Sequence, residues 1–346
     1  MSTNAAPAPG PAPVRRFELR DLFGGAGRGP SWPVLILLLA ACIFLLVGSL
    51  VSSQFAELTV SGVAQGCTFA SLALALVLIY RATEVINFAQ GEMAMFTTYI
   101  AYQLTVWGVS YWAAFVATLG IAFVFGVGVQ QALIRPVQQK SVVAVVIVTI
   151  GLFSLIDGIV LWIWGGDIKF MPAPFGSTVY RVGGVAVSLT DLGTIAVTLG
   201  TVVALWIFFQ FTKLGLAMRA SALRPAAARL VGVRVHWMLA LGWGFAAVLG
   251  AVAGLMTEAS VFQLSPTMME PVLIYAFAAA VLGGLESPVG AVVSGIALGI
   301  FLNLLGQYGG YLSDSALNLP VAFAVLLVVL LVKPSGLFGR AAVRKV

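Results

Sequence analysis

The chain has 346 residues, of which 61% are hydrophobic and only 9% charged, against about 25% charged in an ordinary soluble domain. This excludes a soluble globular protein, whose core has no room for so much apolar surface, and makes a lipid bilayer the fitting solvent. The net charge of +6 raises nucleic acid as an alternative partner, but the basic residues stand between apolar runs, where membrane topology puts them, so no nucleic acid is expected.

Residues 1–33 are rich in Ala, Pro and Gly and carry Arg15, Arg16, Arg20 and Arg28, a composition that predicts a disordered cytoplasmic tail. The run from Val34 to Val51 is longer than the 7 to 15 or so apolar residues of a signal peptide, so residues 34–53 are expected as an extra, uncleaved transmembrane helix. Charge-free runs follow from Leu58 to Tyr80, Met93 to Ile134, Ser141 to Ile156, Leu192 to Thr212, Val235 to Thr257, Val272 to Leu285, Ser287 to Ser313 and Ser315 to Val332. A helical span needs roughly 20 residues, so Met93 to Ile134 holds two, turning at the aromatic stretch Trp107 to Trp112. The expected fold is an all-α, polytopic transmembrane bundle of about 9–10 membrane segments. Its body covers 55–333, and 334–346 form a cytoplasmic C-terminal tail. The run ending at Gly283-Gly284 is short for a span and is expected to be broken or tilted.

The positive charges orient this bundle. With the amino terminus inside, 16 of the 18 Lys and Arg lie on the cytoplasmic side, and only Lys169 and Arg181, in the loop from Gly165 to Val187, lie outside. Both termini are therefore expected in the cytoplasm. Cys42 and Cys67 sit inside apolar runs and read as packing residues, while His236 has no second His or Cys nearby, so no metal site is expected.

Three patterns stand out. Gly62 and Gly66, Gly250 and Gly254, and Gly295 and Gly299 are spaced as GxxxG, which lets helix backbones meet closely, either as plain packing or as a mobile interface. Ile86 to Glu92 interrupts the apolar runs with Asn87, Gln90 and Glu92; it reads either as a capped cytoplasmic turn, with Asn87 as N-cap and Gln90 in the capping-box position, or as a polar element at a translocation path or gate. Lys213 to His236 carries five basic residues and no acid, and Pro225 and Gly232 bracket a short helix that a partner protein can grip. No lysine follows a glycine, so there is no P-loop, and any ATP is hydrolysed on another chain. The scattered acids form no catalytic set.

At these residues the chain resembles the branched-chain amino acid ABC permease family, LivH-type. INFAQGE at Ile86 to Glu92 is similar to that family's INFAHGE signature, and GLAMRASALRPAAARLVGV at Gly215 to Val233 to its ATPase-contacting loop. VLGGLESPVGAVVSGIALGI at Val281 to Ile300 resembles its glycine-rich segment, and KPSGLFGR at Lys333 to Arg340 its carboxyl-terminal end. The resemblance covers about Phe55 to Val346 and leaves out the first helix. It implies an ABC importer permease fold in the bacterial inner membrane, working with a second permease (LivM-type), two ATPase subunits (LivG/LivF-type) that bind ATP-Mg, and a periplasmic substrate-binding protein. This chain itself is not an enzyme and needs no cofactor. By position, Gly215, Arg219, Ala220, Pro225, Ala228 and Gly232 would belong to the coupling loop. Asn87, Phe88, Gly91 and Glu92 would belong to the membrane signature, in which Gln90 replaces the usual histidine. The alternative reading is an ion-coupled secondary transporter or channel, for which Asp157 is the best placed ionisable residue.

Overall fold

The structure is a computed structural model and describes residues 39, 43–48, 52–138, 140–176, 178–312, 314 and 317–339. The tail expected over 1–33 and residues 340–346 lie outside the described residues. Of the helix expected over 34–53, residues 39 and 43–48 are described and helical, and Phe44 stands edge-on to Phe55 at 5.6 Å.

The bundle consists of α1 (Ser53–Thr83), α2 (Gln90–Val106), α3 (Tyr111–Gln138), α4 (Val142–Trp164), the hairpin β1 (Val179–Val182) and β2 (Val185–Ser188), α5 (Leu189–Phe211), α6 (Lys213–Leu223), α7 (Pro225–Leu230), α8 (Val235–Val261), α9 (Met269–Gly283), α10 (Pro288–Tyr308) and α11 (Asn318–Val332). Among the described residues α1, α3, α4, α5, α8 and α10 are long and apolar enough to cross a membrane. Two shorter helices are also apolar, α9 and α11 with 15 residues each, and α2 has 17 residues. The described residues thus show the all-α, polytopic bundle expected, with six helices that meet the length and apolarity of a span. Side-chain caps visible in the sequence start several helices. Ser141 Oγ accepts from Ala144 N at 3.0 Å, Thr212 Oγ1 from Gly215 N at 3.0 Å, and Ser287 Oγ from Gly290 N at 3.0 Å ahead of Pro288.

Helices α1 and α8 form the inner layer. Their most apolar stretches are 83% and 72% buried, against 22% for α4 and 17% for α5, which face outward. Glycine decides how α1 meets its neighbours. A Cβ on Gly62 would lie 2.7 Å from Ile300 Cα, one on Gly66 2.7 Å from Ile296 Cα, and one on Gly295 2.6 Å from Ala70 Cα, while Gly299 abuts Gly66 directly. The GxxxG pairs of α1 and α10 are thus two halves of one backbone-to-backbone contact. In α3 a π-helical turn at Gln130–Ile134 breaks the regular ladder, just beyond Gly126, where a Cβ would lie 2.5 Å from Trp243 O on α8.

The connection between α4 and α5 carries a feature that periodicity of the helices does not predict. Val179 pairs with Ser188 and Val182 with Val185, and Gly183 and Gly184, at φ 61° and 87°, form the two-residue turn between the strands. Two central residues at positive φ are what a tight hairpin turn needs, so the signal lay in Gly-Gly flanked by alternating Val. Glu57 on α1 accepts from Ala186 N at 2.8 Å and anchors the hairpin, and Lys169 and Leu264 exchange backbone hydrogen bonds of 2.9 Å across the same side.

Candidate functional site

Residues 84–89 form a non-helical segment that climbs back into the bundle. Glu84 ends α1 in a left-handed turn at φ 57°. Depth follows from hydrogen bonds to α8: Ser71 Oγ donates to Leu249 O at 2.9 Å, and Gln90 Nε2 donates to Ala246 O at 3.0 Å, near the middle of that 27-residue helix. Ser71 lies twelve residues before the end of α1, roughly 18 Å of helix. Residues 84–89, non-helical with bends at 84–85 and a turn at 88–89, return over much of that height before Gln90 meets α8. Helix α2 therefore begins at mid-bundle, and irregular backbone at such depth persists only where protein or a wet cavity serves its polar groups.

Here protein serves them, though not by the capping box expected. The N-cap of α2 is Ala89, with no side-chain cap. Asn87 instead makes a local turn, its Oδ1 accepting from Ala89 N at 3.1 Å, and its Nδ2 donates to Gln90 Oε1 at 3.0 Å. The physical reason is reach: Gln90 is drawn to the α8 carbonyl, which leaves its own oxygen for Asn87. Gly250 makes room for it, since a Cβ there would lie 2.8 Å from Gln90 Nε2, and Gly254 likewise admits Thr98 and Ala94 of α2. Gly91 faces Leu273 of α9, where a Cβ would stand 3.1 Å away. Asn87, Gln90, Gly91 and Glu92 are buried, and Phe88 alone of the set is exposed.

Glu92, in the first turn of α2, is 2% exposed, and its Oε2 has no hydrogen-bond partner. Two further acids stand at its level. Trp164 Nε1 on α4 donates to Gln103 Oε1 at 2.8 Å and its ring lies 5.3 Å from that of Tyr99. The two helices run in the same direction there, so Glu92 and Asp157, each seven residues before Tyr99 and Trp164, stand at a similar height. Leu273, which faces Gly91, is one helical turn from Glu270. Asp157 is half-buried and Glu270 exposed. No Lys, Arg or His occurs in residues 82–134, 141–168 or 237–332.

The basic loop folds as two short helices, α6 and α7. Gly215 packs under the end of α5, where a Cβ would lie 2.5 Å from Phe208 O, and Arg219 Nη1 donates to Gln210 Oε1 at 3.2 Å. Ala228 is buried, Ala220 half-buried, and Gly232 ends α7 at φ 82°, its N–H donating to Arg229 O at 3.0 Å. Most of these positions hold the loop together. The outward surface includes Leu223, Arg224, Pro225, Arg229, Leu230 and Val231, with Leu230 89% and Val231 79% exposed, and of the expected coupling-loop residues Pro225 and Gly232 lie on it. The short helix after Pro225 was the signal for it.

Two of the sequence motifs meet in space. Leu337 N donates to Leu282 O at 2.7 Å and Phe338 N to Gly283 O at 3.1 Å, so residues 333–339 clasp the turn between α9 and α10. Gly283 and Gly290 touch beneath this clasp, and Lys333 Nζ donates to Leu337 O at 2.6 Å. Among the described residues no group of three His, Cys, Asp or Glu could hold a metal ion.

Comparison with known proteins gives the following. Residues 58–331 match the model of a family described as "Branched-chain amino acid transport system / permease component". The high-affinity branched-chain amino acid transport system permease protein LivH of Escherichia coli K12 is 31% identical over 305 residues, which cover 84% of this chain and 98% of that protein. The permease protein BraD of Pseudomonas aeruginosa is 29% identical over 306 residues, covering 85% and 98%. A probable LivH of Methanocaldococcus jannaschii is 25% identical over 282 residues, covering 78% and 87%. Among solved structures, PsaBC from Streptococcus pneumoniae in complex with Fab aligns with a TM-score of 0.44 at 12% identity, covering 85% of this chain and 97% of that one.

Proposed function

The chain belongs to the family of permease components of branched-chain amino acid transport systems, and from that premise we propose that it conducts branched-chain amino acids, or related small amino-acid or amide solutes, along a path that passes residues 84–92. As a member of that family it is a multi-pass membrane permease component of an ABC importer, a transport subunit and not an enzyme. In this reading a second, related permease completes the path, two ATPase subunits bind ATP-Mg on the cytoplasmic side, and an external binding protein delivers the solute. The membrane is the bacterial inner membrane, with both termini in the cytoplasm.

The observation that carries the reading is mechanical. The exposed apolar and basic surface of α6 and α7 is what an ATPase groove would hold, and α6 is tied to α5 through Arg219 and Gln210. On its other side Met218 reaches Gly242 of α8, a Cβ there standing 4.0 Å from Met218 Cε. One turn further along α8 is Ala246, whose carbonyl holds Gln90. A displacement of the loop by nucleotide-driven closure thus has a packed route to the start of α2. The mid-bundle acids by themselves favour a second reading, an ion-coupled carrier. Uptake into vesicles holding the full complex separates the two. The importer reading expects uptake that stops without ATP hydrolysis and survives collapse of the ion gradients; uptake with the opposite dependence contradicts it.

A further inference from the structure

We propose that α4 is the face on which a second, non-identical permease seats: one of its spans lies against Gly151, Ser154 and Gly158 and brings a basic side chain to Asp157. The inference rests on the reading that a second, related permease completes the path, and it adds where that chain docks and what chemistry it carries. Helix α4 packs through one side, with Val145, Thr149, Leu152, Ile156 and Val160 buried, against α2 and the C-terminal end of α3. Spacings of three and four residues put Gly151, Ser154 and Gly158 together on the other side, where a Cβ added to either glycine meets nothing within 4 Å. Ser154 is exposed at the middle of this 23-residue helix.

Lipid would suffice to cover an apolar face, and α5 shows what such a face looks like. Its exposed residues from Leu192 to Ile207 are all apolar, and its half-exposed Thr201 donates to Val197 O of its own helix at 2.8 Å. Helix α4 departs from this pattern twice. Among the described residues the Ser154 hydroxyl makes no hydrogen bond, and half-buried Asp157, at the edge of the same face, makes neither a hydrogen bond nor an ion pair. Polar groups at mid-span are costly in hydrocarbon unless another chain or water meets them. A second copy of this chain is the wrong partner. Lys, Arg and His are missing from residues 53–80, 82–134, 141–168, 189–212 and 237–332, so two copies meeting on α4 would set Asp157 beside Asp157 with no cation between them. A different chain is free to carry a basic residue at that depth, with small residues that let the backbones approach. The Trp164 to Gln103 bond joins α4 to α2, so a chain seated here closes against the elements that carry the path.

The test is photo-crosslinking of the full complex in membranes. Benzoylphenylalanine replaces either Leu155, 55% exposed beside Ser154, or Val203, 51% exposed on α5. The Leu155 probe is expected to capture the second permease and the Val203 probe lipid only. In parallel, Asp157→Lys is expected to lower co-purification of the second permease about tenfold or more, with this chain still in the membrane. Capture of a second copy of this chain at Leu155, no protein captured there, equal capture from Val203, or undiminished co-purification in Asp157→Lys each overturns the proposal. Should Asp157→Lys fail to insert, Asp157→Asn answers the same question, and unchanged co-purification in it is the overturning result. ATP-dependent uptake by the unaltered complex is measured alongside: its presence without capture at Leu155 removes this interface alone, and its absence removes the importer reading.

Discussion

Gly66 is in contact with Gly299, and neither can be enlarged without separating α1 from α10. Gly66→Leu is expected to cost about 1 to 3 kcal/mol or more, because the new side chain meets backbone and not a movable side-chain tip. Gly128, with nothing within 4 Å of its Cβ position, is the control: Gly128→Ala leaves stability unchanged or slightly raised. Thermal unfolding of the purified protein checks both, and equal effects at the two sites would contradict the packing described. The spacing of Gly62 and Gly66 was legible in the sequence, as was that of Gly295 and Gly299. Which helix each pair faces was not, since GxxxG marks a close approach without naming its partner. Gln90 shows the same limit. Its polarity in an apolar chain was plain, but the acceptor that claims it is 156 residues away.

Elements bounded by charge or by Pro and Gly were readable; those bounded only by hydrogen bonds were not. Pro225 and Gly232 bracketed α7 because one fixes φ and the other ends a helix in the left-handed region. The start of α2 at mid-bundle escaped the sequence, since its height is set by the bond from Gln90 to α8, while Glu84 and Asn87 signal only a local turn. Residues 334–339 read as part of a tail, yet they dock because Leu337 and Phe338 offer N–H groups to carbonyls left open at the end of α9. At this scale the α6–α7 surface makes a prediction. Leu230→Asp places a charge on its most exposed apolar residue and is expected to weaken co-purification of the ATPase subunits about tenfold, with membrane insertion intact. Because Arg219 is bound to Gln210, Arg219→Glu acts by loosening α6 from α5, and any loss of ATPase binding should accompany a loss of stability. Undiminished co-purification in Leu230→Asp would assign the ATPase to another surface.

For the whole molecule, composition alone chose lipid as the solvent, and the distribution of Lys and Arg implied an orientation. The packing adds an inner pair, α1 and α8, with short α2 and α9 meeting beside it at Gly91 and Leu273. The central claim is that this meeting point is opened to opposite sides of the membrane in turn, by nucleotide acting on other subunits. Phe88 is the one exposed side chain of the Ile86 to Glu92 motif other than the partly buried Ile86, which makes it the natural reporter. In the reconstituted complex carrying Phe88→Cys, with Cys42 and Cys67 replaced, labelling by a membrane-impermeant thiol reagent should switch sides between the nucleotide-free and the ATP-trapped states. Labelling from one side only, indifferent to nucleotide and responsive to an ion gradient, would contradict the account.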